Sequence, residues 1–270
     1  MSHTKLIILG TGNAMVTKCF NTCFAIENED KYMLVDAGGG NGILVQMEKA
    51  KIPFEKLHEM FVTHGHTDHI IGVVWVIRKI ATMMRQEKYE GDFTIYCHDL
   101  SAEIIKSIAQ MTLTKKFSSL IGDRIHVVEV KDGEQIVLAG MKMKVFDILS
   151  TKDKQFGFTL DLPNGQKFTC LGDEPYKEHC ESYAKNADWL LCEAFCLYEH
   201  RDIFKPYEKH HSTALDTGKL AEELKVKNLL MYHTEDKNLD IRKEAYTKEA
   251  RENFTGNIYV PDDLEEICIY

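Results

Sequence analysis

Apolar residues enter this chain in short runs, and the period of each run separates strands from helices. Thirteen segments rich in β-branched and aromatic side chains read as strands: KLIILG (5–10), CFAIE (23–27), YMLVDAG (32–38), EMFVTH (59–64), FTIYCHD (93–99), HVVEV (126–130), QIVLAG (135–140), MKVFDI (143–148), FGFTL (156–160), KFTCLGD (167–173), WLLCEA (189–194), NLLMYH (228–233) and NIYV (257–260). Around 70–87, 101–111, 213–225 and 240–252 apolar residues return every three or four positions, which predicts helices. Many strands with interspersed helices point to a layered α/β architecture. Five of the strand-like runs end in a polar, ligand-type residue, namely Asp36, His64, Asp173, Glu193 and His233. With their carboxyl ends along one edge, the loops there would converge on one site held by a stiff scaffold.

The densest such place is FVTHGHTDHI (61–70), with three histidines and an aspartate between His64 and His69. His64 and His66 lie two apart on a loop leaving a strand, so both imidazoles can turn to one side and hold one ion. Asp68 and His69 then open a helix from which they could reach a second ion. A lone histidine would be read as a solvated surface group, but a cluster this dense reads as a metal site. Imidazole and carboxylate without thiolate suit zinc first, with manganese or iron as alternatives.

Composition narrows the setting. With 270 residues and 44% hydrophobic content the chain can bury a large core, and its five prolines lie far apart with no Gly/Ser-rich linker, so residues 1–270 are expected to form a single domain. The formal charge of -9 argues against a surface devoted to nucleic-acid phosphates. The eight cysteines never form CxxC; the Cys19/Cys23 and Cys192/Cys196 pairs lack the turn chemistry of a zinc knot, and the thiols read mainly as small core residues. The longest apolar run, IIGVVWVI (70–77), is far shorter than the roughly 20 residues of a membrane span. The opening MSHTKLIILG lacks a leader pattern, so a cytoplasmic location with no membrane partner is expected.

Further motifs follow in order: LIILGTGNA (6–14), YMLVDAGGG (32–40), FTCLGDE (168–174), LLCEA (190–194), HHSTA (210–214) and LLMYHT (229–234). Together with the HxHxDH cluster, they make the chain resemble the metallo-β-lactamase superfamily, and more closely its tRNase Z branch and phosphodiesterase relatives. The resemblance implies an α/β fold, the four-layer αββα metallo-β-lactamase sandwich, with a two-metal site at the sandwich edge. By matching position it implies that His64 and His66 hold the first ion, Asp68, His69 and His233 the second, with Asp173 between them. It implies Asp68, His211 and Glu193 as catalytic residues, His211 protonating the leaving group while Glu193 holds its other ring nitrogen. The plainer reading of His211 is a helix-start residue beside the capping Ser212 and Thr213. Asp36 would hydrogen-bond the metal loop and orient its histidines, or else simply form a strand-end turn.

Three departures qualify the match. The third histidine of the first ion is missing: FDILSTKDKQFGFTL (146–160) carries Leu149, Ser150 and Thr151 where the imidazole belongs. Two histidines, the bridging aspartate and water would remain, which predicts weak or partial occupancy of that site, and His98 is the substitute to test. Only DLPNGQ (161–166) joins FGFTL to KFTCLGD, where many tRNase Z enzymes insert a tRNA-gripping arm, and GGG at 38–40 replaces a family GEG.

The expected function is a metal-dependent hydrolase, a phosphodiesterase directing a hydroxide generated at two divalent ions onto a small phosphodiester or an RNA end. A homodimer is what the resemblance implies. The alternatives are an ester, thioester or lactone hydrolase of the same fold, or a non-catalytic metal-binding relative that has lost one ligand.

Overall fold

A computed structural model describes residues 4–270. One sheet is assembled from β1 (Thr4–Gly10), β2 (Cys23–Asn28), β3 (Lys31–Val35), β4 (Leu57–Val62), β5 (Phe93–Cys97), β6 (Ile125–Glu129) and β14 (Glu266–Cys268), in the spatial order β14-β1-β2-β3-β4-β5-β6. The other holds β7 (Gln135–Leu138), β8 (Met141–Asp147), β9 (Phe156–Asp161), β10 (Lys167–Cys170), β11 (Trp189–Glu193), β12 (Asn228–Tyr232) and β13 (Asn257–Tyr259), in the order β13-β12-β11-β10-β9-β8-β7. Helices α1 (Gly42–Lys49), α2 (Thr67–Arg85), α3 (Asp99–Thr112) and α4 (Lys115–Ser118) accompany the first sheet, and α5 (Glu181–Ala184), α6 (Arg201–Phe204), α7 (Ala214–Glu223) and α8 (Leu239–Arg251) follow strands of the second.

Side-chain alternation along the strands sorts the molecule into layers. In β1, Leu6 and Ile8 join the core between the sheets, which also contains Phe61, Val145, Phe158, Phe168 and Leu230. Ile7 and Leu9 point the other way, into a core shared with Ile70, Val73, Ile77 and Ile80 of α2. On the far face, Leu190, Leu229 and Met231 pack with Ala221, Tyr246 and Ala250 of the outer helices. The result is the four-layer αββα sandwich. Phe61 meets Phe158 edge-on across the central core, with ring centroids 5.4 Å apart, and truncating such a ring to Ala costs about 3–5 kcal/mol.

Parallel pairing brings the chemistry to one edge. β3 and β4 run parallel in the first sheet, and β10, β11 and β12 in the second, each pair spanned by a crossover, so their carboxyl ends coincide. The sheets meet at that edge, where His64 bridges to Gln155 and the Phe156 N–H donates to the Thr63 carbonyl at 3.0 Å. Gly72 lets α2 approach: a Cβ there would lie 1.9 Å from the Ala37 carbonyl oxygen, so only glycine allows the helix start to lie against the loop after β3.

All four expected helices form, though α2 and α3 begin two or three residues early because their first turns are polar and carry no apolar period. Besides the four-residue helices α4, α5 and α6, two elements lacked a sequence signal: α1, which buries only Ile43, Gln46 and Met47, and the three-residue edge strand β14. The segment DLPNGQ is the hairpin between the antiparallel strands β9 and β10.

Candidate metal centre and active site

Asp173 lies three residues beyond β10, in the loop after Gly172, and its Oδ2 is the hub of the cluster. It stands 3.5 Å from His64 Nε2, 3.6 Å from His69 Nε2 and 3.4 Å from His233 Nε2. Asp68 Oδ2 lies 3.4 Å from the same His69 nitrogen and 3.5 Å from that of His233. His64 Nε2 and His66 Nδ1 face each other at 2.9 Å. Two sets of converging donor atoms result, His64 with His66 and Asp173, and Asp68 with His69 and His233. Each ring reaches the hub from the end of a strand or the first turn of α2; His233, directly after β12, takes a left-handed backbone (φ 58), and the following Thr234 is tied to the 12–13 loop.

Asp36, also left-handed (φ 56), fixes two of the rings. Its carboxylate accepts from the Thr63 N–H at 2.8 Å, the Thr63 hydroxyl at 2.7 Å and His69 Nδ1 at 2.8 Å. A carboxylate can only accept, so His69 carries its proton on Nδ1 and presents the Nε2 lone pair to the hollow. The Thr63 hydroxyl, having given its proton to Asp36, accepts from His64 Nδ1 at 2.9 Å, which leaves His64 Nε2 in the same state. The Gln155 amide, which donates to Asp173, lies 3.0 Å from that Nδ1 as well. Asp36 is thus both the turn former and the orienting residue.

This donor set fits divalent metal. The Nε2 atoms of His69 and His233 are buried without any hydrogen-bond partner, a costly arrangement unless a cation accepts their lone pairs. The 3.4–3.6 Å spacings around Asp173 and Asp68 are too long for hydrogen bonds. They match ligand atoms sharing a tetrahedral ion, which at about 2.0–2.1 Å bond length stand about 3.3–3.4 Å apart. Electrostatics agree. Burial opposes charge on Asp68 and Asp173, yet the surrounding imidazoles hold both carboxyls well below the usual range. Burial lowers the His64 pKa; for His69 the Asp68 and Asp36 carboxylates outweigh burial and raise it, favouring a proton on Nε2 that a bound cation would replace.

His211 completes the site. It stacks on Phe195, with centroids 4.7 Å apart and planes 5° from parallel, and its Nδ1 faces Glu193 Oε2 at 3.5 Å. The other Glu193 oxygen accepts the Ser212 N–H at 2.5 Å, which sets the loop. Thr213, not His211, caps α7, in a capping box with Asp216. His210 is exposed. The ring of His211 borders a cleft of about 380 Å³ whose floor includes His66, Asp68, Asp173 and His233.

His98 does not replace the missing imidazole. It caps α3, accepting from the Ser101 N–H and contacting the Ser101 hydroxyl, and burial lowers its pKa to about 4. The sequence instead concealed four residues around the gap. Asp153 lies 3.0 Å from His66 Nε2, Gln155 contacts His64 and Asp173, Lys152 Nζ reaches His211 Nε2 at 3.4 Å, and Glu174 accepts from Ser150 and Thr151. The only signal of Lys152, Asp153 and Gln155 is the polar run STKDKQ before an aromatic-Gly-aromatic strand, and Glu174 merely closes FTCLGDE. Neither cysteine pair forms a metal knot among the described residues: burial pushes Cys19 up to about 11 and Cys196 up to about 12, away from the thiolate a metal needs.

Known proteins are similar to this chain along its length. The Ribonuclease Z of Ignicoccus hospitalis is 24% identical over 315 residues, covering 100% of this chain and 99% of that protein. The metallo-β-lactamase fold protein YhfI from Bacillus subtilis superposes with a TM-score of 0.80 at 18% identity, over 98% of this chain and 99% of its own. A diphosphatase of the PhnP family gives 0.75 at 18% identity, over 99% and 98%. A family model described as anti-Pycsar protein Apyc1 matches residues 4–254. The chain therefore belongs to the Apyc1 family, within the tRNase Z-like branch of the metallo-β-lactamase superfamily.

Proposed function

We propose that the chain, acting as one domain, is a metal-dependent phosphodiesterase of small phosphodiesters. His64, His66 and Asp173 would hold one divalent ion, and Asp68, His69 and His233, again with Asp173, a second, zinc being the first choice for imidazole and carboxylate donors. The observation that carries the reading is Asp173 Oδ2, set 3.4–3.6 Å from three imidazole nitrogens contributed by two segments far apart in the chain. Bound there, divalent ions would acidify a water and neutralise charge building on phosphoryl oxygens.

The chain's own groups do the rest. Asp36 keeps the His64 and His69 lone pairs turned inward throughout. His211, braced by Phe195 and aligned with Glu193, presents Nε2 to the cleft, where it can protonate a leaving oxygen. A cleft of about 380 Å³ suits a small ligand. The short β9–β10 hairpin and the -9 charge favour such a substrate over a folded RNA, although the curated relatives are named Ribonuclease Z.

The test is turnover by protein supplemented with zinc or manganese, comparing bis-p-nitrophenyl phosphate with a p-nitrophenyl ester and a thioester. Diester cleavage that disappears on chelation supports the reading; cleavage of the carbon esters alone would move the chain to the acyl-hydrolase alternative, and no turnover at all to the non-catalytic one.

A further inference from the structure

Three lysines line the cleft, and their surroundings differ. The ammonium groups of Lys209 and Lys237 sit over the rings of Phe195 and Phe204, 5.1 and 5.5 Å from the centroids. Lys152 Nζ has no carboxylate within 4 Å among the described residues and lies 3.4 Å from His211 Nε2, a long polar contact. The acidic groups near its loop are engaged elsewhere: Asp153 with His66, and Glu174 with Lys177 at 3.6 Å.

The loop that aims this lysine is braced. Glu174, only 3% exposed and adjacent to Asp173, accepts from the Ser150 hydroxyl at 2.7 Å and the Thr151 N–H at 3.0 Å. The Lys152 N–H donates to Ser150 Oγ at 3.1 Å, and Leu149 turns the chain in a left-handed conformation (φ 52) with its N–H on Asp147 at 2.7 Å. An ammonium without a carboxylate in ion-pair contact, set on a braced loop beside the cluster, is suited to a charge-assisted contact, which is roughly twice as strong as a neutral one. It also stands on the side of the cluster where the third imidazole is absent from the sequence.

We propose that Lys152 binds a non-bridging phosphoryl oxygen of the substrate, placing a fixed positive charge beside His211. This rests on the phosphodiesterase reading. As the ammonium turns to the phosphoryl oxygen, His211 Nε2 is released from that contact and can take a proton from solvent and pass it to the leaving oxygen.

The test titrates inorganic phosphate calorimetrically into zinc-loaded protein, with diester kinetics and zinc per chain measured on the same preparations. Lys152→Ala should weaken phosphate binding by about ten- to a hundred-fold, raise the diester KM in parallel and leave zinc per chain unchanged. Lys152→Arg should recover most of the binding. Lys154→Ala removes the same charge two residues on, where the ammonium pairs with Asp99 at 2.7 Å, and should match the unmodified protein. Phosphate binding unaffected by Lys152→Ala overturns the proposal, as does zinc lost from that variant. The two readings separate cleanly: phosphate bound through Lys152 without any diester cleavage retains the anion site and removes the phosphodiesterase, whereas diester cleavage with unaltered phosphate binding in Lys152→Ala does the reverse.

Discussion

On one side of Asp173 stand Asp68, His69 and His233, exposed by 6%, 2% and 3%, with His69 locked by Asp36. On the other side stand His64, equally buried, and His66, whose side chain is 30% exposed and whose outer nitrogen meets Asp153, itself 70% exposed. In the first half every donor is buried and Asp36 holds His69 directly; in the second Asp36 reaches only His64, through Thr63, and His66 ends in a solvent-facing contact. Burial makes the difference, because a hydrogen bond inside protein fixes a ring far more firmly than one exchanging with water. The two halves should therefore differ in metal affinity, the His64/His66 half being the weaker.

The strongest way to break the comparison is Asp173→Ala, which removes the group common to both halves: turnover should vanish and elemental analysis should find both metals lost. Next comes His211→Ala; this ring lies 5.3 Å from that of His233 but supplies no donor atom to either half. Turnover should fall by roughly a hundred- to ten-thousand-fold with metals per chain unchanged, and metal loss would show His211 to be part of the scaffold. Asp36→Asn should lower metal affinity by about ten- to a hundred-fold, measured by competition with a chelating dye, and should strike the His69 half hardest. Asp153→Ala sharpens the contrast from the exposed side. Its effect should be no more than about tenfold, confined to the first metal to leave during dialysis, because a solvated carboxylate orients its ring only weakly.

Much of this was readable in the sequence because strand-end positions combine two signals. A period-two apolar run announces the strand, and the polar residue closing it announces the site, so Asp36, His64, Asp173, Glu193 and His233 could be grouped before any coordinates. The resemblance supplied the superfamily and the branch; membership of the Apyc1 family lay beyond motifs that the whole branch shares. Lys152, Asp153, Gln155 and Glu174 escaped because they act through a turn whose direction depends on Leu149 adopting a left-handed backbone and on Glu174 folding back over Ser150 and Thr151. Polar residues in such a loop carry no period, and only the tertiary fold says which way they face. His98 misled for the opposite reason: a histidine closing a strand-like run matched the pattern, yet its ring turned back to cap the helix that begins at the next residue.

The backbone stitch between Thr63 and Phe156 has a consequence for biosynthesis. His64, His66, Asp68 and His69 leave the ribosome long before Asp173 and His233, and the sheet that carries the early group cannot complete the cluster alone. A nascent chain would therefore gain full metal affinity only after its second sheet has emerged and closed against the first. Truncated translation products should then be metal-poor, whatever their N-terminal sequence promises.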